Sequence, residues 1–270
     1  MKELLTDDFR SIVLKARPLI DVRAPVEFAK GSFPHAVNLP LMNDEERHLI
    51  GIRYKEEGNT SAVALGKELI DGKPREERTA KWKAFVQKHP DAYLYCFRGG
   101  QRSQISQSWL TEADMPIPRL EGGYKAFRHF LMTESERIAK ETSTLIIGGR
   151  TGSGKTLLLH SLDNMIDLEG LANHRGSTFG QKISHQPSQI DFENHLAYAL
   201  IRHEVSGYKH LVMEDESYRI GQLTIRNPLF EYLHDGSLII LETDISERID
   251  IIMNEYVTGA LTQYLSLIHI

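Results

Sequence analysis

Cysteine is almost absent from this sequence, and long apolar runs are absent altogether. The single cysteine, Cys96, has no partner for an internal disulfide, which excludes the disulfide-rich secreted folds. No stretch approaches the roughly 18 apolar residues of a membrane-spanning helix, and the N-terminus lacks the shape of a signal peptide. Hydrophobic residues make up 41% and charged residues 26% of the 270 residues, which excludes a disordered or collagen-like chain. We therefore expect a cytoplasmic protein that does not enter a membrane.

Charge of one sign does not dominate the chain, but its two halves differ. The 32 basic and 37 acidic residues give a net charge of −5, which is no general signature of nucleic-acid binding. Residues 1–135 carry 21 basic and 19 acidic residues, whereas residues 136–270 carry 11 and 18. The change falls at a polar stretch. We predict one domain over residues 1–132, a linker over 133–142 that could equally be a helix end, and a second domain over 143–270.

Short apolar runs alternate with helical patterns in both halves. A proline followed by good helix formers predicts a helix at 25–30, and apolar residues recur at helical spacing within 44–87. Because strands that alternate with helices form parallel sheets, we expect two α/β domains in tandem. Strands are predicted at 17–22, 35–39, 92–95, 143–148, 210–213 and 237–241, and further helices at 103–110 and 155–162.

A glycine-rich motif runs from Gly149 to Thr156, between a predicted strand and a predicted helix. Its sequence, GRTGSGKT, matches the phosphate-binding pattern G-x-x-x-x-G-K-[ST] at every specified position. Glycines let the backbone turn its N–H groups toward phosphates, and the N-terminus of the following helix favours their negative charge. We expect Gly149, Gly152 and Gly154 to form the cradle, Lys155 to reach the terminal phosphates and Thr156 to bind Mg²⁺. The motif does not distinguish ATP, GTP or the diphosphate of another molecule.

A phosphate loop of this kind is typically followed by an apolar strand that ends in an acidic residue. The segment HLVMEDE at 210–216 fits this pattern. Glu214 or Asp215 is therefore a candidate for orienting the metal ion, and Glu216 for activating a water molecule. The alternative is that these acidic residues form an ordinary solvated strand end.

The only cysteine lies at the end of a predicted strand, in the segment CFRGGQRS at 96–103. Backbone N–H groups of a glycine-containing loop and the N-terminus of the next helix both stabilise a thiolate, and Arg98 and Arg102 add positive charge. These features predict that Cys96 is a nucleophile in a loop that accepts anions. The alternative is that Cys96 is a small buried hydrophobic residue.

Three segments, in this order, resemble the rhodanese family: LIDVRAPVEFAKGSFPHAVNLP at 19–40, CFRGGQRS, and LEGGYKAFR at 120–128. The resemblance implies a rhodanese-like fold in which Cys96 carries sulfur or selenium and Asp21 has a structural role. Many rhodaneses have four residues between the cysteine and the loop arginine, whereas five separate Cys96 from Arg102 here. The longer loop is shared with phosphatases and arsenate reductases, and it suits a tetrahedral oxyanion.

A rhodanese-like domain followed by a phosphate loop, with ANHRGSTFG at 172–180 and QPSQIDFEN at 186–194, closely resembles the tRNA 2-selenouridine synthase family. The resemblance implies a transferase that replaces the sulfur of wobble 2-thiouridine in tRNA by selenium from selenophosphate. It implies an S-geranylated intermediate made from geranyl diphosphate, and an enzyme that supplies selenophosphate as a further partner. In that scheme the phosphate loop holds the diphosphate, while Cys96, Arg98 and Arg102 handle selenium.

The sequence contains less information about the RNA-binding surface. His174 and Arg175 are candidate tRNA contacts, and residues 98–140 have a mild basic bias. Tyr124 and Phe127 could stack on a base, but we expect them to pack in the core. The histidines of the second half have no metal-ligand spacing, so we predict no zinc site.

Two other functions stay open from the residues alone. One is a rhodanese-fold phosphatase or arsenate reductase that uses Cys96 and Arg102, with the phosphate loop as a regulator. The other is a nucleotide-switched tRNA or protein binder without enzymatic activity.

The apolar ending LTQYLSLIHI leads us to expect that the family's sequence is truncated here, from about Leu265 onward.

Overall fold

A computed structural model describes residues 4–175 and 181–254 of the chain. Its internal contacts divide the chain into two units, Met1–Leu131 and Met132–Ile270. The division falls inside a helix, Gly123–Glu141, so most of the segment predicted as a linker is helical. The domain limits at 132 and 143 stay a prediction. The proposed truncation near Leu265 lies outside the described residues.

The N-terminal unit is built on a parallel five-stranded sheet with the strand order β1-β5-β4-β2-β3. Strand β2, which lies between β4 and β3, is buried at every residue, as expected where helices cover both faces of a sheet. The elements are β1 (Leu5–Thr6), α1 (Phe9–Leu14), β2 (Leu19–Asp21), α2 (Pro25–Phe28), β3 (Ala36–Asn38), α3 (Asp44–Ile70), α4 (Lys73–Lys88), β4 (Tyr93–Tyr95), α5 (Gln101–Glu112), β5 (Arg119–Leu120) and α6 (Gly123–Glu141).

The helical region predicted over 44–87 is divided by glycines. Gly72, with φ of 65°, separates α3 from α4, and Gly58, with φ of 84°, interrupts α3. Glycine accepts these left-handed conformations without the steric penalty of a Cβ atom. Trp82 of α4 is fully buried, and its indole N–H donates a hydrogen bond to the Leu39 carbonyl at 2.9 Å. Helix α4 is thereby attached to the core beside β3.

A buried ion pair lies at the end of β2. Arg23 Nη2 is 2.6 Å from Asp21 Oδ2, and both side chains are almost completely buried. Arg23 also donates a hydrogen bond to the Gly31 carbonyl and lies 4.0 Å from the centre of the Tyr124 ring. Burial would lower the pKa of Arg23, but the hydrogen bond and charge of Asp21 raise that pKa above its ordinary value. These contacts agree with the structural role expected for Asp21.

The second unit has a parallel three-stranded sheet with the strand order β10-β6-β7, and a two-stranded antiparallel sheet of β8 and β9. Arg137, in the part of α6 that belongs to this unit, forms ion pairs with Glu134 and Glu141 of the same helix and with Glu204 of α9. The elements are β6 (Ser143–Gly148), α7 (Lys155–His160), α8 (Leu168–Ala172), α9 (Gln189–Glu204), β7 (His210–Glu214), β8 (Arg219–Ile220), β9 (Leu223–Thr224), α10 (Leu229–His234), β10 (Ser237–Ile240) and α11 (Ile245–Ile252).

Helices that alternate with parallel strands in both units confirm the predicted α/β fold class. Among the residues that the structure describes, no helix has the length and apolar character needed to cross a membrane.

We expect Asp21→Asn to lower the free energy of unfolding of the N-terminal unit by about 3–5 kcal/mol, because it leaves the Arg23 charge buried without an opposite charge. Urea unfolding of the full chain followed by tryptophan fluorescence measures this unit, since both tryptophans, Trp82 and Trp109, lie in it. The control is Asp91→Asn, which removes a more exposed ion pair with Arg17 and should cost less than about 1 kcal/mol. Equal effects of the two substitutions would contradict a structural role for the buried pair.

Candidate functional site

Cys96 directly follows strand β4 and begins a loop that ends at the first residue of α5. In open parallel sheets, ligands bind outside the carboxyl ends of the strands, which is where this loop lies. The thiol is buried, with only 3% of the residue exposed, and its Sγ donates to the Ser103 hydroxyl at 3.2 Å. Cys96 nevertheless lines an open cavity together with Arg98 and Arg102. The structure therefore brings together the three residues predicted to handle selenium.

The cysteine loop is anchored through its carbonyl groups. Four carbonyl oxygens of the loop each accept a hydrogen bond from a donor on β5, on α6 or at the start of α5. Because these carbonyl groups are already bonded, the backbone N–H groups of the loop are the groups that could bind an anion. The acceptors are the carbonyl oxygens of Cys96, Phe97, Gly99 and Gly100, which accept from Tyr124 N at 2.8 Å, Lys125 N at 3.0 Å, Arg119 Nη1 at 2.6 Å and Ser103 Oγ at 2.9 Å.

Gly123 is the point at which α6 packs against the cysteine loop. It has a φ of 60°, and a Cβ atom there would collide with the Cys96 carbonyl oxygen and the Gly99 amide nitrogen. The EGGY segment quoted for the rhodanese resemblance is thus the segment that holds the loop in place.

The positive charge beside Cys96 is partly paired. Arg102 Nη1 lies 2.6 Å from Glu27 Oε2, and Arg47 Nε lies 3.1 Å from the same oxygen. Burial would raise the pKa of Glu27, but its hydrogen bond and ion pair with Arg102 lower that pKa below its ordinary value. Arg98 is exposed and its guanidinium lies 5.8 Å from the centre of the Phe97 ring.

Four charged or titratable side chains of this cavity were not among the predicted site residues: Glu27, Arg47, His48 and Lys55. No local pattern connects them to Cys96, because Glu27 and Arg102 are 75 positions apart in the chain. The core role expected for Tyr124 and Phe127 is confirmed, since they are 6% and 0% exposed.

The second site is the phosphate loop, which lies between β6 and α7 of the second unit. Gly149, Gly152 and Gly154 all have positive φ, and Gly154, in the left-handed conformation, begins α7. Lys155 Nζ donates to the Gly149 carbonyl at 3.1 Å, so the ammonium group lies across the loop. All five predicted phosphate-binding residues, including Thr156, line one cavity of about 440 Å³.

Three carboxylates face this loop. Oxygen atoms of Glu169, Glu214 and Glu216 lie within 4.8 Å of one another, and the Thr156 hydroxyl is hydrogen-bonded to Glu214. Burial and the charge of Glu169 raise the pKa of Glu214, and the same causes raise the pKa of Glu216 to about 8. Glu214 Oε1 is buried and has no hydrogen-bond partner within the described part of the chain. A divalent cation fits this site, because it would offset the repulsion and occupy that oxygen.

The structure distinguishes between the two acidic residues proposed to orient a metal ion. Glu214 is buried beside Thr156, whereas Asp215 is exposed, although it also lines the cavity. Glu216 belongs to the carboxylate cluster. Glu169 was missed, although it lies only a few residues before ANHRGSTFG, which had been singled out.

Arg175 lines the phosphate-loop cavity together with Lys182. His174 instead pairs with Gln181 in an isolated β-bridge and packs beside Gly221. The role of both residues in binding tRNA stays a prediction. The adjoining positions 176–180 lie outside the described residues.

These features define a class of protein in which a rhodanese-like domain with a loop cysteine precedes a phosphate-loop domain. The family model "Rhodanese-like domain" matches residues 5–129, and the family model "tRNA 2-selenouridine synthase AAA domain" matches residues 142–269. The chain belongs to the tRNA 2-selenouridine synthase family, which confirms the resemblance found in the sequence.

Curated relatives carry the same family name over nearly the whole of this chain. The tRNA 2-selenouridine synthase of Sulfurovum sp. (strain NBC37-1) is 58% identical over 100% of this chain and 74% of its own length. Those of Hydrogenovibrio crunogenus and Shewanella frigidimarina are 52% and 47% identical, over 96% and 98% of this chain and 73% of their own lengths. The chain thus spans about three quarters of the length of these relatives.

We expect Gly123→Ala to displace the cysteine loop and expose the thiol. Because Cys96 is the only cysteine, the rate of reaction with a thiol reagent measures this loop alone. The rate should rise severalfold, and the strained backbone should cost about 1–3 kcal/mol of stability. Gly51→Ala is the control, since a Cβ atom there would meet nothing within 4 Å. An unchanged thiol reaction rate in Gly123→Ala would refute the anchoring role of α6.

Proposed function

We propose that this chain replaces the sulfur of wobble 2-thiouridine in tRNA by selenium, with the two chemical steps divided between its two sites. In the first step the phosphate loop supports alkylation of the sulfur by geranyl diphosphate. In the second step the cysteine loop supports replacement of the alkylated sulfur by selenium from selenophosphate. The observation that supports this proposal is that one unit places a thiol beside arginine side chains and the other places a lysine across a glycine-rich loop, two arrangements that each suit an anion.

Alkylation solves a chemical problem, because sulfur on C2 of the base is a poor leaving group. The base sulfur attacks the first carbon of the geranyl group, a C–S bond forms, and the C–O bond to the diphosphate breaks. The diphosphate leaves with the electron pair. The sulfur is then bonded to both C2 and the geranyl group. It can later leave C2 as neutral geranyl thiol.

The residues of the phosphate loop are suited to the leaving diphosphate. Lys155 and the amides of the loop would neutralise the charge that develops as the C–O bond breaks. Thr156 and Glu214 would hold Mg²⁺, which supplies further positive charge to the diphosphate when it is bound. Arg175 and Lys182 line the same cavity and would add to this charge. Geranyl diphosphate is the occupant that we propose, in place of ATP or GTP.

The residues of the cysteine loop are suited to a tetrahedral selenium donor. Arg98 and Arg102 would attract the phosphoryl oxygens of selenophosphate, and the Cys96 sulfur would position its selenium beside the base by noncovalent contact. In the exchange, a bond forms between selenium and C2 and the bond between C2 and sulfur breaks. Geranyl thiol leaves with the proton of the selenium donor. Water then attacks phosphorus, the bond between phosphorus and selenium breaks, inorganic phosphate leaves, and selenium stays on C2. An enzyme that makes selenophosphate is the partner that would supply this substrate.

Lys155→Ala is expected to slow geranylation of a 2-thiouridine-containing anticodon stem-loop by about 10²–10³-fold, since it removes charge that stabilises the leaving diphosphate. Selenation of an RNA that already carries the geranyl group should persist. Mass spectrometry of the nucleosides separates the two products. The control is Lys209→Ala, an exposed lysine of the same unit. Equal loss of both steps in Lys155→Ala would argue against divided chemistry.

Cys96→Ser should give the opposite result under single-turnover conditions, because serine lacks the polarisable thiolate that would hold selenium. Geranylation should continue, while selenation of the geranylated RNA should fall below detection. Full selenation by this variant would disprove the role of Cys96. Wild-type hydrolysis of p-nitrophenyl phosphate without selenium transfer would instead favour a phosphatase.

A further inference from the structure

A second cavity in the N-terminal unit lies beside the cysteine loop and is lined mainly by apolar side chains. It has a volume of about 480 Å³. Its walls include Ile50, Val63 and Ile70 from α3, and Ile105 and Trp109 from α5. The proposed chemistry assigns no role to this cavity, which we name the chain pocket.

The interruption of α3 shapes the chain pocket. Gly58 divides the helix, and residues from both sides of it line the pocket, with Ile50 before the break and Val63 and Ile70 after it. Ile70 is only 4% exposed and belongs to the main core of the unit. The inner part of the pocket is therefore an apolar surface backed by packed side chains, which favours apolar ligands.

The chain pocket adjoins the cavity that holds Cys96. Five residues line both spaces: Met42, Ile50, Tyr54, Gln101 and Arg102. A ligand that reacts beside Cys96 can therefore extend an attached chain into the chain pocket. The two neighbouring spaces differ in character, since Arg47 and Arg98 line only the Cys96 cavity, whereas aliphatic and aromatic side chains dominate the chain pocket.

We propose that the chain pocket binds the geranyl chain of the S-geranylated base while C2 of that base lies beside Cys96. This inference rests on the proposed function and extends it to a substrate subsite of the selenation step. A geranyl chain has no hydrogen-bonding groups, so its transfer from water to apolar walls is favourable. The phosphoryl group of the selenium donor is suited to the arginines of the neighbouring cavity instead.

The chain pocket gives the selenation step a way to select its substrate. An unalkylated 2-thiouridine carries no group that would fill the pocket, so it lacks the binding free energy that the geranyl chain provides. A short alkyl group on the same sulfur would make an equally good thiol leaving group but would leave most of the pocket empty. Comparing a geranyl with a methyl substituent therefore separates pocket binding from leaving-group chemistry.

The experiment compares selenation of two anticodon stem-loops, one with S-geranyl-2-thiouridine and one with S-methyl-2-thiouridine. The full chain and selenophosphate are used, and kcat/KM is measured for each RNA. The wild-type chain should prefer the geranylated RNA by about tenfold or more, the scale of discrimination available to an apolar pocket. Val63→Trp fills the pocket and should remove this preference by lowering only the value for the geranylated RNA. Leu49→Trp, on an exposed position of the same helix, should leave both values unchanged.

A second variant covers the case in which Val63→Trp does not fold, as judged by circular dichroism. Ile105→Asn keeps a side chain of similar length but adds a polar amide to the wall, and it should lower the same preference. If the wild-type chain selenates both RNAs equally well, or if the pocket variants slow both RNAs equally, the inference is wrong while the proposed function stands. If the wild-type chain selenates neither RNA, the proposed function fails and this inference fails with it.

Discussion

The N-terminal unit depends on the buried ion pair between Asp21 and Arg23. Each charge would be costly inside the protein by itself, so removing either partner destabilises the fold. Arg23 stacks on Tyr124, and the Tyr124 amide donates to the Cys96 carbonyl. Strand β2, which carries Asp21, is also the hydrogen-bonded neighbour of β4, which leads into Cys96. The thiol is thus held by the same contacts that stabilise the core, which suits a group that must be placed accurately.

Burial and electrostatic repulsion act together at the carboxylate cluster of the second unit. Glu169, Glu214 and Glu216 lie close together opposite Lys155 and Thr156. Burial and the charge of Glu169 raise the pKa values of Glu214 and Glu216, because their ionised forms are unfavourable here without a compensating positive charge. Such a cluster is expected where a ligand with a cation completes the site. The acidic balance of the second half, which argues against general nucleic-acid binding, is thus consistent with a site for a phosphate compound and its metal ion.

The proposed chemistry distributes three kinds of physical interaction over separate surfaces. Phosphate groups meet glycine amides and Lys155, the selenium donor meets a thiol with arginines, and the geranyl chain meets the apolar chain pocket. Each surface suits one part of a substrate and not the others. The geranyl group would act as leaving-group activator at one site and as a recognition element at the other, which would make the first step a condition for the second.

Sequence patterns predicted the features that depend on neighbouring residues. The apolar runs of β2, β4, β6, β7 and β10, the glycines of the phosphate loop and the Cys96 loop all follow from local spacing. The two-residue strands β1, β5, β8 and β9 were missed, because so short a run has no periodicity of its own. The single helical region at 44–87 became two helices with an interruption, because left-handed glycines end helical turns that apolar spacing alone would continue.

Only the tertiary structure decided which distant residues meet. It paired Arg102 with Glu27, joined Glu169 to Glu214 and formed the chain pocket beside Cys96 from two segments of α3. These contacts depend on burial and on the distances between charges in space. Residues that are far apart in the chain can take part in them as readily as neighbours. The sequence by itself determined the reactive groups and the loops that carry them, since residue type and spacing within a motif are local properties of the chain. Their charge environment and the apolar space beside them came from packing, because both exist only when the helices and strands are brought together.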